Sequence, residues 1–157
     1  TLHFVVSTWR TPPVVVQNSA SVSLSAYPQT PMVLVVDDDD DSLTLMAYIL
    51  EQLSCETCFV ADGLAALVAA RKHHPHLILS DIHLPQVDGY SLIQQLRADA
   101  GTRDIPVVAV TALAGQENRQ KILTAGFDDY ISKPFLIEPL EHLINRFISV
   151  PQPATRR

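Results

Sequence analysis

The sequence predicts a doubly wound α/β domain, a parallel five-stranded sheet with helices on both faces. Three observations predict it. Between residues 32 and 149, short apolar runs alternate five times with longer amphipathic segments, the pattern of strands joined by helical crossovers. Runs such as Met32-Val33-Leu34-Val35-Val36 and Leu77-Ile78-Leu79 are apolar at consecutive positions, as strands covered on both faces must be. Four runs stop at polar side chains, at Asp37-Asp38, Asp81, Thr111 and Lys133. In an open α/β sheet, the C-terminal ends of the strands are where ligands bind. A chain of 157 residues, 47% hydrophobic and 18% charged, has room for one such core.

Residues 1–31 stand apart. Arg10 is their one formal charge, and they are rich in Ser, Thr, Val and Pro; an irregular tail or linker is expected. The start at Thr1 suggests a processed or truncated chain. No basic start precedes a long apolar core, and Val14-Val15-Val16 is too short to span a bilayer.

The domain is expected over residues 32–149, with a short tail at 150–157. The first strand, Met32 to Val36, runs into five aspartates, Asp37 to Asp41. Like charges about 5 Å apart repel by about 3 kcal/mol per pair at an effective dielectric near 20. Such crowding suits a hard cation such as Mg²⁺, which takes oxygen ligands and keeps several waters. The same run also suits the cap of the next helix, and on these residues alone both readings stand. Helix one is expected from about Ser42 to Leu53, with Leu43, Met46, Ala47 and Leu50 inward.

Thr57 to Val60 forms a short second strand. Cys55 and Cys58 make a lone CxxC without the further ligands a metal site needs, so two reduced thiols in a cytoplasmic protein are expected. Asp62 caps a helix from Gly63 to about His73, with Leu64, Leu67 and Val68 inward. His73-His74-Pro75-His76 reads as a turn, because proline interrupts it and no acidic partner is near. Strand three, Leu77 to Ser80, ends at Asp81. The following loop reaches the turn signal Asp88-Gly89. Helix three spans about Tyr90 to Ala98 and buries Leu92, Ile93 and Leu96. Pro106 to Val110 is strand four. Helix four, about Gln116 to Ala125, closes at Gly126. Tyr130 to Ser132 is strand five. Helix five starts near Glu138-Pro139 and buries Leu140, Leu143, Ile144 and Phe147. There is no internal repeat.

The strand ends bring together carboxylates, a hydroxyl and an ammonium, an inventory suited to phosphoryl transfer. Singly, each residue has a structural use: Asp81 in a loop cap, Thr111 at a strand end, Lys133 in a surface ion pair. It is their arrival at successive strand ends that argues for one site. A net charge of -6 argues against a general nucleic-acid binder, and no direct DNA binding is expected.

These residues carry a resemblance. Val33-Leu34-Val35-Val36-Asp37-Asp38, Ser80-Asp81-Ile82-His83-Leu84-Pro85 with Asp88-Gly89, Val110-Thr111-Ala112 and Tyr130-Ile131-Ser132-Lys133-Pro134-Phe135 resemble, in order, the motifs of the receiver domain of two-component response regulators. This is the family of the bacterial chemotaxis regulator. The resemblance covers about Met32 to Ser149 and implies a flavodoxin-like strand order of 2-1-3-4-5. It implies that Asp81 is the phosphoacceptor, taking phosphoryl from the phosphohistidine of a sensor histidine kinase or phosphotransfer protein. Asp37, Asp38, Asp81 and the His83 backbone carbonyl would hold Mg²⁺, with Mn²⁺ as a substitute. Lys133 would pair with the phosphoryl group, Thr111 would move to bond it, and Tyr130 would follow inward. Ala112, being small, would leave the donor room. A surface of helix four, strand five and helix five would then change for a downstream protein target. Leu113, two residues after Thr111, has no group to orient a hydrolytic water, so a slowly self-hydrolysing acyl phosphate is expected.

The enzymatic alternative is a phosphatase of the haloacid-dehalogenase class, reading Asp38-x-Asp40, Thr111, Lys133 and Asp128-Asp129 as its site. That order places the acidic pair before the lysine and leaves the block from Asp81 to Gly89 unexplained. A degenerate receiver serving only as an interaction module is a third reading. With about eight residues after helix five, a stand-alone regulator is expected, the alternative being a receiver excised from a hybrid kinase or larger regulator.

Overall fold

The computed structural model describes residues 30–149; the tails expected at 1–31 and 150–157 lie outside them, residues 30 and 31 excepted. Five strands, β1 (Met32–Val36), β2 (Glu56–Val60), β3 (Leu77–Ser80), β4 (Val107–Thr111) and β5 (Asp129–Ser132), form one sheet in the order β2-β1-β3-β4-β5. Every pairing is parallel. The helices are α1 (Asp40–Gln52), α2 (Gly63–His73), α3 (Gly89–Ala98), α4 (Gln116–Ala125) and α5 (Ile137–Ile148). Fold class and strand order are those expected. Among the described residues, no helix is long and apolar enough to cross a membrane.

The unbroken apolar runs have a direct cause. Leu34, Val36, Ile78, Val107 and Ala109 face one core with Ala66, Leu67, Leu92, Ile93, Leu96 and Ile122 of α2, α3 and α4. Val33, Val35, Leu77, Leu79, Val108 and Val110 face the other, with Met46, Ile49 and Leu50 of α1 and Leu140 and Ile144 of α5. Both sides of each central strand are therefore buried.

α1 starts earlier than expected, because the Asp39 carboxylate accepts from the Ser42 amide and makes Asp39 the cap. Ile49 joins Met46 and Leu50 in the core, whereas Ala47 is half-buried. The inward face of α2 also differs: Leu64 and Val68 are 54% and 58% exposed. The buried stripe is Gly63, Ala66, Leu67 and Ala70, an i, i+3, i+4, i+7 set whose small side chains bring the helix close to the sheet. In α5, Leu143 and Phe147 are only half-buried.

Cys55 and Cys58 are free and half-buried, and burial pushes both thiols above the usual range. They pack against opposite faces of the sheet, so the CxxC spacing does not bring them together. In the histidine segment, His76 Nδ1 accepts from the Met32 amide at 3.0 Å and braces the start of β1.

Candidate functional site

The sheet register brings the strand ends level. Val36 pairs with Ser80, Ser80 with Ala109, and Thr111 with Ser132. The ladder continues one residue further, with the Asp37 amide donating to Val60 O, Asp81 to Val36 O and Lys133 to Thr111 O. Asp37 and Asp81 are therefore neighbours at the C-terminal edge, 3% and 9% exposed.

Lys133 joins them. Its Nζ lies 2.6 Å from Asp37 Oδ2 and 2.9 Å from Asp81 Oδ2. Each carboxylate uses its second oxygen on a backbone donor: Asp37 Oδ1 accepts from the Asp39 amide at 2.9 Å, and Asp81 Oδ1 from the His83 amide at 3.1 Å. Such charge-assisted bonds are what allow carboxylates to be buried. Burial pulls the Lys133 ammonium down, but hydrogen bonds and charge from Asp37 and Asp81 outweigh it and hold the group above the usual lysine range.

The other expected residues differ in burial and in partners. Thr111 is fully buried, and its Oγ1 accepts from the Leu113 amide at 3.3 Å. Ala112 is exposed. Tyr130 is half-buried against the core beneath α2, α3 and α4. Asp38 is exposed. Asp40 and Asp41 lie in the first turn of α1, where they complement its dipole.

Among the described residues, no three His, Cys, Asp or Glu side chains are gathered as a ready metal cage. The donor set still suits Mg²⁺. Carboxylates and a backbone carbonyl are hard oxygen donors, and Mg²⁺ is commonly held by one or two carboxylates with waters completing its shell. The carboxylates of Asp37, Asp38 and Asp81 against one ammonium leave a double negative charge for a divalent ion to balance.

The loop from Ile82 to Asp88 is tightly closed. The Gly89 amide donates to Ile82 O at 2.8 Å, and Asp88 caps α3 by accepting from the Ser91 amide at 2.7 Å. A Cβ on Gly89 would stand 2.6 Å from Ile82 Cα and 2.7 Å from Asp81 O. The sequence flags Gly89 as a turn residue; that it lets α3 begin against the backbone of Asp81 is visible only in three dimensions.

The acidic pair needed by the phosphatase alternative is elsewhere. Asp128 precedes β5 and Asp129 begins it, at the opposite end of that strand from Lys133. Asp128 accepts from Arg97 and the Val107 amide, and Asp129 pairs with Arg146.

A family model for the response regulator receiver domain matches residues 33–145. The polar-differentiation response regulator DivK of Brucella ovis is 38% identical over 119 residues, spanning 76% of this chain and 97% of DivK. The DNA-binding dual master transcriptional regulator RpaA of Synechocystis is 35% identical over 128 residues, 79% of this chain and 53% of RpaA. The solved receiver domain of the sensor histidine kinase PA1611 of Pseudomonas aeruginosa, with magnesium coordinated in its active-site cleft, superposes with a TM-score of 0.71 at 35% identity, covering 77% of this chain and 99% of that one. These matches lend the phosphatase alternative no support.

Proposed function

The chain belongs to the response regulator receiver domain family, and from that premise we propose that Asp81 accepts a phosphoryl group from the phosphohistidine of a sensor kinase or phosphotransfer protein. The observation that carries this reading is the half-buried Lys133 ammonium shared by the buried carboxylates of Asp37 and Asp81 at the sheet's C-terminal edge. A carboxylate oxygen of Asp81 forms the new P–O bond as the P–N bond to the donor imidazole breaks. The imidazole leaves with the electron pair and takes up a proton.

Charge governs the step. Asp81 is a carboxylate receiving an anionic group beside Asp37, which is repulsive unless positive charge is at hand. Lys133 supplies part of it by exchanging its contact with Asp81 for a phosphoryl oxygen. Asp37, Asp38, Asp81 and the His83 carbonyl would hold Mg²⁺, or Mn²⁺ in its place, which when bound supplies the remaining counter-charge. Thr111 turns its hydroxyl from the Leu113 amide toward the phosphoryl group, and Tyr130 follows inward. Exposed Ala112 leaves the approach open. The chain acts as a signalling acceptor rather than an enzyme, assisting only its own phosphorylation and dephosphorylation. The changed α4–β5–α5 surface engages a downstream protein, not DNA directly. We place the protein in the cytoplasm, where Cys55 and Cys58 stay reduced.

Incubation with Mg²⁺ and beryllofluoride or acetyl phosphate tests the assignment. The adduct is expected to vanish in Asp81→Asn. An adduct that survives there and is lost only in Asp38→Asn, together with phosphatase turnover, would overturn it. Because Leu113 cannot direct a water, Leu113→Glu is expected to shorten the acyl-phosphate lifetime by about a hundredfold, the lower end of general-base effects; an unchanged half-life counts against slow self-hydrolysis.

A further inference from the structure

We propose that Gly63, at the start of α2, is a positioning residue for the phosphoacceptor loop; its effect on phosphorylation rests on the Asp81 reading above, its effect on the loop does not. A Cβ built on Gly63 would overlap the carbonyl oxygen of Val87 and stand 2.9 Å from Val87 Cβ and 3.1 Å from its carbonyl carbon. The overlap is with backbone, so no rotamer change relieves it. Gly63 has no positive φ, so the need for glycine here is one of space alone.

The contact matters because of what the loop carries. Residues 82–88 lie between two helix starts, Gly63 of α2 and Gly89 of α3, each approached more closely than a Cβ allows. The loop is also braced internally. The Val87 amide donates to Pro85 O at 2.8 Å, the Gly89 amide to Ile82 O at 2.8 Å, and Gln86 sits at φ 64°. A push on Val87 therefore has little slack to take it up, and it is passed back toward His83. The His83 amide donates to Asp81 Oδ1 at 3.1 Å, so the push misplaces a donor to the acceptor carboxylate. α2 is pinned from its own side, since Asp62 accepts from the Ala65 amide at 2.7 Å and Ala66 and Ala70 are buried.

Helix propensity and geometry predict opposite results for Gly63→Ala. Alanine is the better helix former, so a merely helical glycine should improve on replacement. The inference predicts instead a displaced loop and weakened chemistry in a protein that still folds. The experiment compares wild type, Gly63→Ala and Leu64→Ala, the last a neighbouring exposed control, as full chains by amide NMR and by titration with beryllofluoride in Mg²⁺. In metal-free Gly63→Ala, the resonances of residues 82–88 should move while those of β1 and β4 stay. Its adduct midpoint should weaken by up to about a hundredfold, the cost of a misplacement near 1 Å, with Leu64→Ala unchanged. Wild-type loop resonances and a wild-type midpoint in Gly63→Ala overturn the inference. No adduct in wild type instead sinks the Asp81 reading, and the metal-free loop resonances then decide the positioning claim by themselves. Should Gly63→Ala fail to fold, Val87→Ala trims the side chain that packs beside Gly63 without adding the backbone freedom of a glycine. Faster amide exchange across residues 82–88 than in wild type supports the inference, and unchanged exchange refutes it.

Discussion

With its Nζ within 3 Å of both Asp37 and Asp81, Lys133 is the counter-charge for two carboxylates with little access to water. Lys133→Ala leaves those carboxylates facing each other, and the desolvation cost of an unpaired buried group is about 1–3 kcal/mol. We expect a loss of that size in chemical denaturation, partly restored by Mg²⁺, and restored more than Mg²⁺ stabilises wild type. Equal Mg²⁺ effects on both proteins would show that the ion and Lys133 do not serve the same charge. The pH dependence follows from the raised ammonium pKa. Its folded value lies above its unfolded one, so the contribution is full below about pH 10.4, the ordinary lysine value. It is lost as pH rises through the folded value. The advantage of wild type over Lys133→Ala should be flat from neutral pH to that point and then shrink. An advantage already gone at pH 9 contradicts the coupling.

At the scale of elements, α4 is fastened unequally at its two ends. Its start has no side-chain cap, only Ile122 of the helix is buried, and Gly115 at the N-cap stands in open space. Its end is held by Arg97, whose Nε donates to Gly126 O, Nη1 to Arg103 O and Ile105 O, and Nη2 to Asp128 Oδ2. This fork joins the last turn of α3 to the turn between α4 and β5. Lysine cannot reproduce it, so Arg97→Lys should cost about 2–4 kcal/mol and speed amide exchange over residues 123–128. A variant within about 0.5 kcal/mol of wild type, the range of featureless surface changes, would show the network to be decorative. None of this was legible in the sequence, because Arg97, Gly126 and Asp128 meet only through the packing of three elements. The elements themselves were legible. The cap at Asp62, the turn signal at Asp88-Gly89 and the closing Gly126 bracket helices that the apolar period already marked. The inward face of α2 was misread because large apolar residues were given the core, whereas close approach to the sheet selects Ala66 and Ala70.

Across the whole molecule, the candidate site was legible because a parallel sheet places every strand's C-terminal end on one edge, so polar residues ending β1, β3 and β4 and following β5 had to meet. What the sequence left open was their spacing: Asp37 rather than Asp38 is the buried partner of Lys133, and Thr111 bonds the Leu113 amide rather than a carboxylate. That last contact gives the molecule a route from Asp81 to α4. Thr111 is buried at the end of β4, and the amide it holds belongs to the segment leading into the loosely fastened start of α4. If the hydroxyl leaves Leu113 for the phosphoryl group, the segment from 112 to 119 is released, while the Arg97 fork still holds residues 123–128. Thr111→Val keeps the shape and removes the hydroxyl. We expect it to retain the beryllofluoride adduct at Asp81 with an affinity reduced by about tenfold, one lost charge-assisted hydrogen bond. It should also lose the change in amide exchange that the adduct produces over residues 112–119 of wild type. An exchange change of wild-type size in Thr111→Val would mean that the signal reaches α4 by another path, with the loop from Ile82 to Asp88 the next to examine.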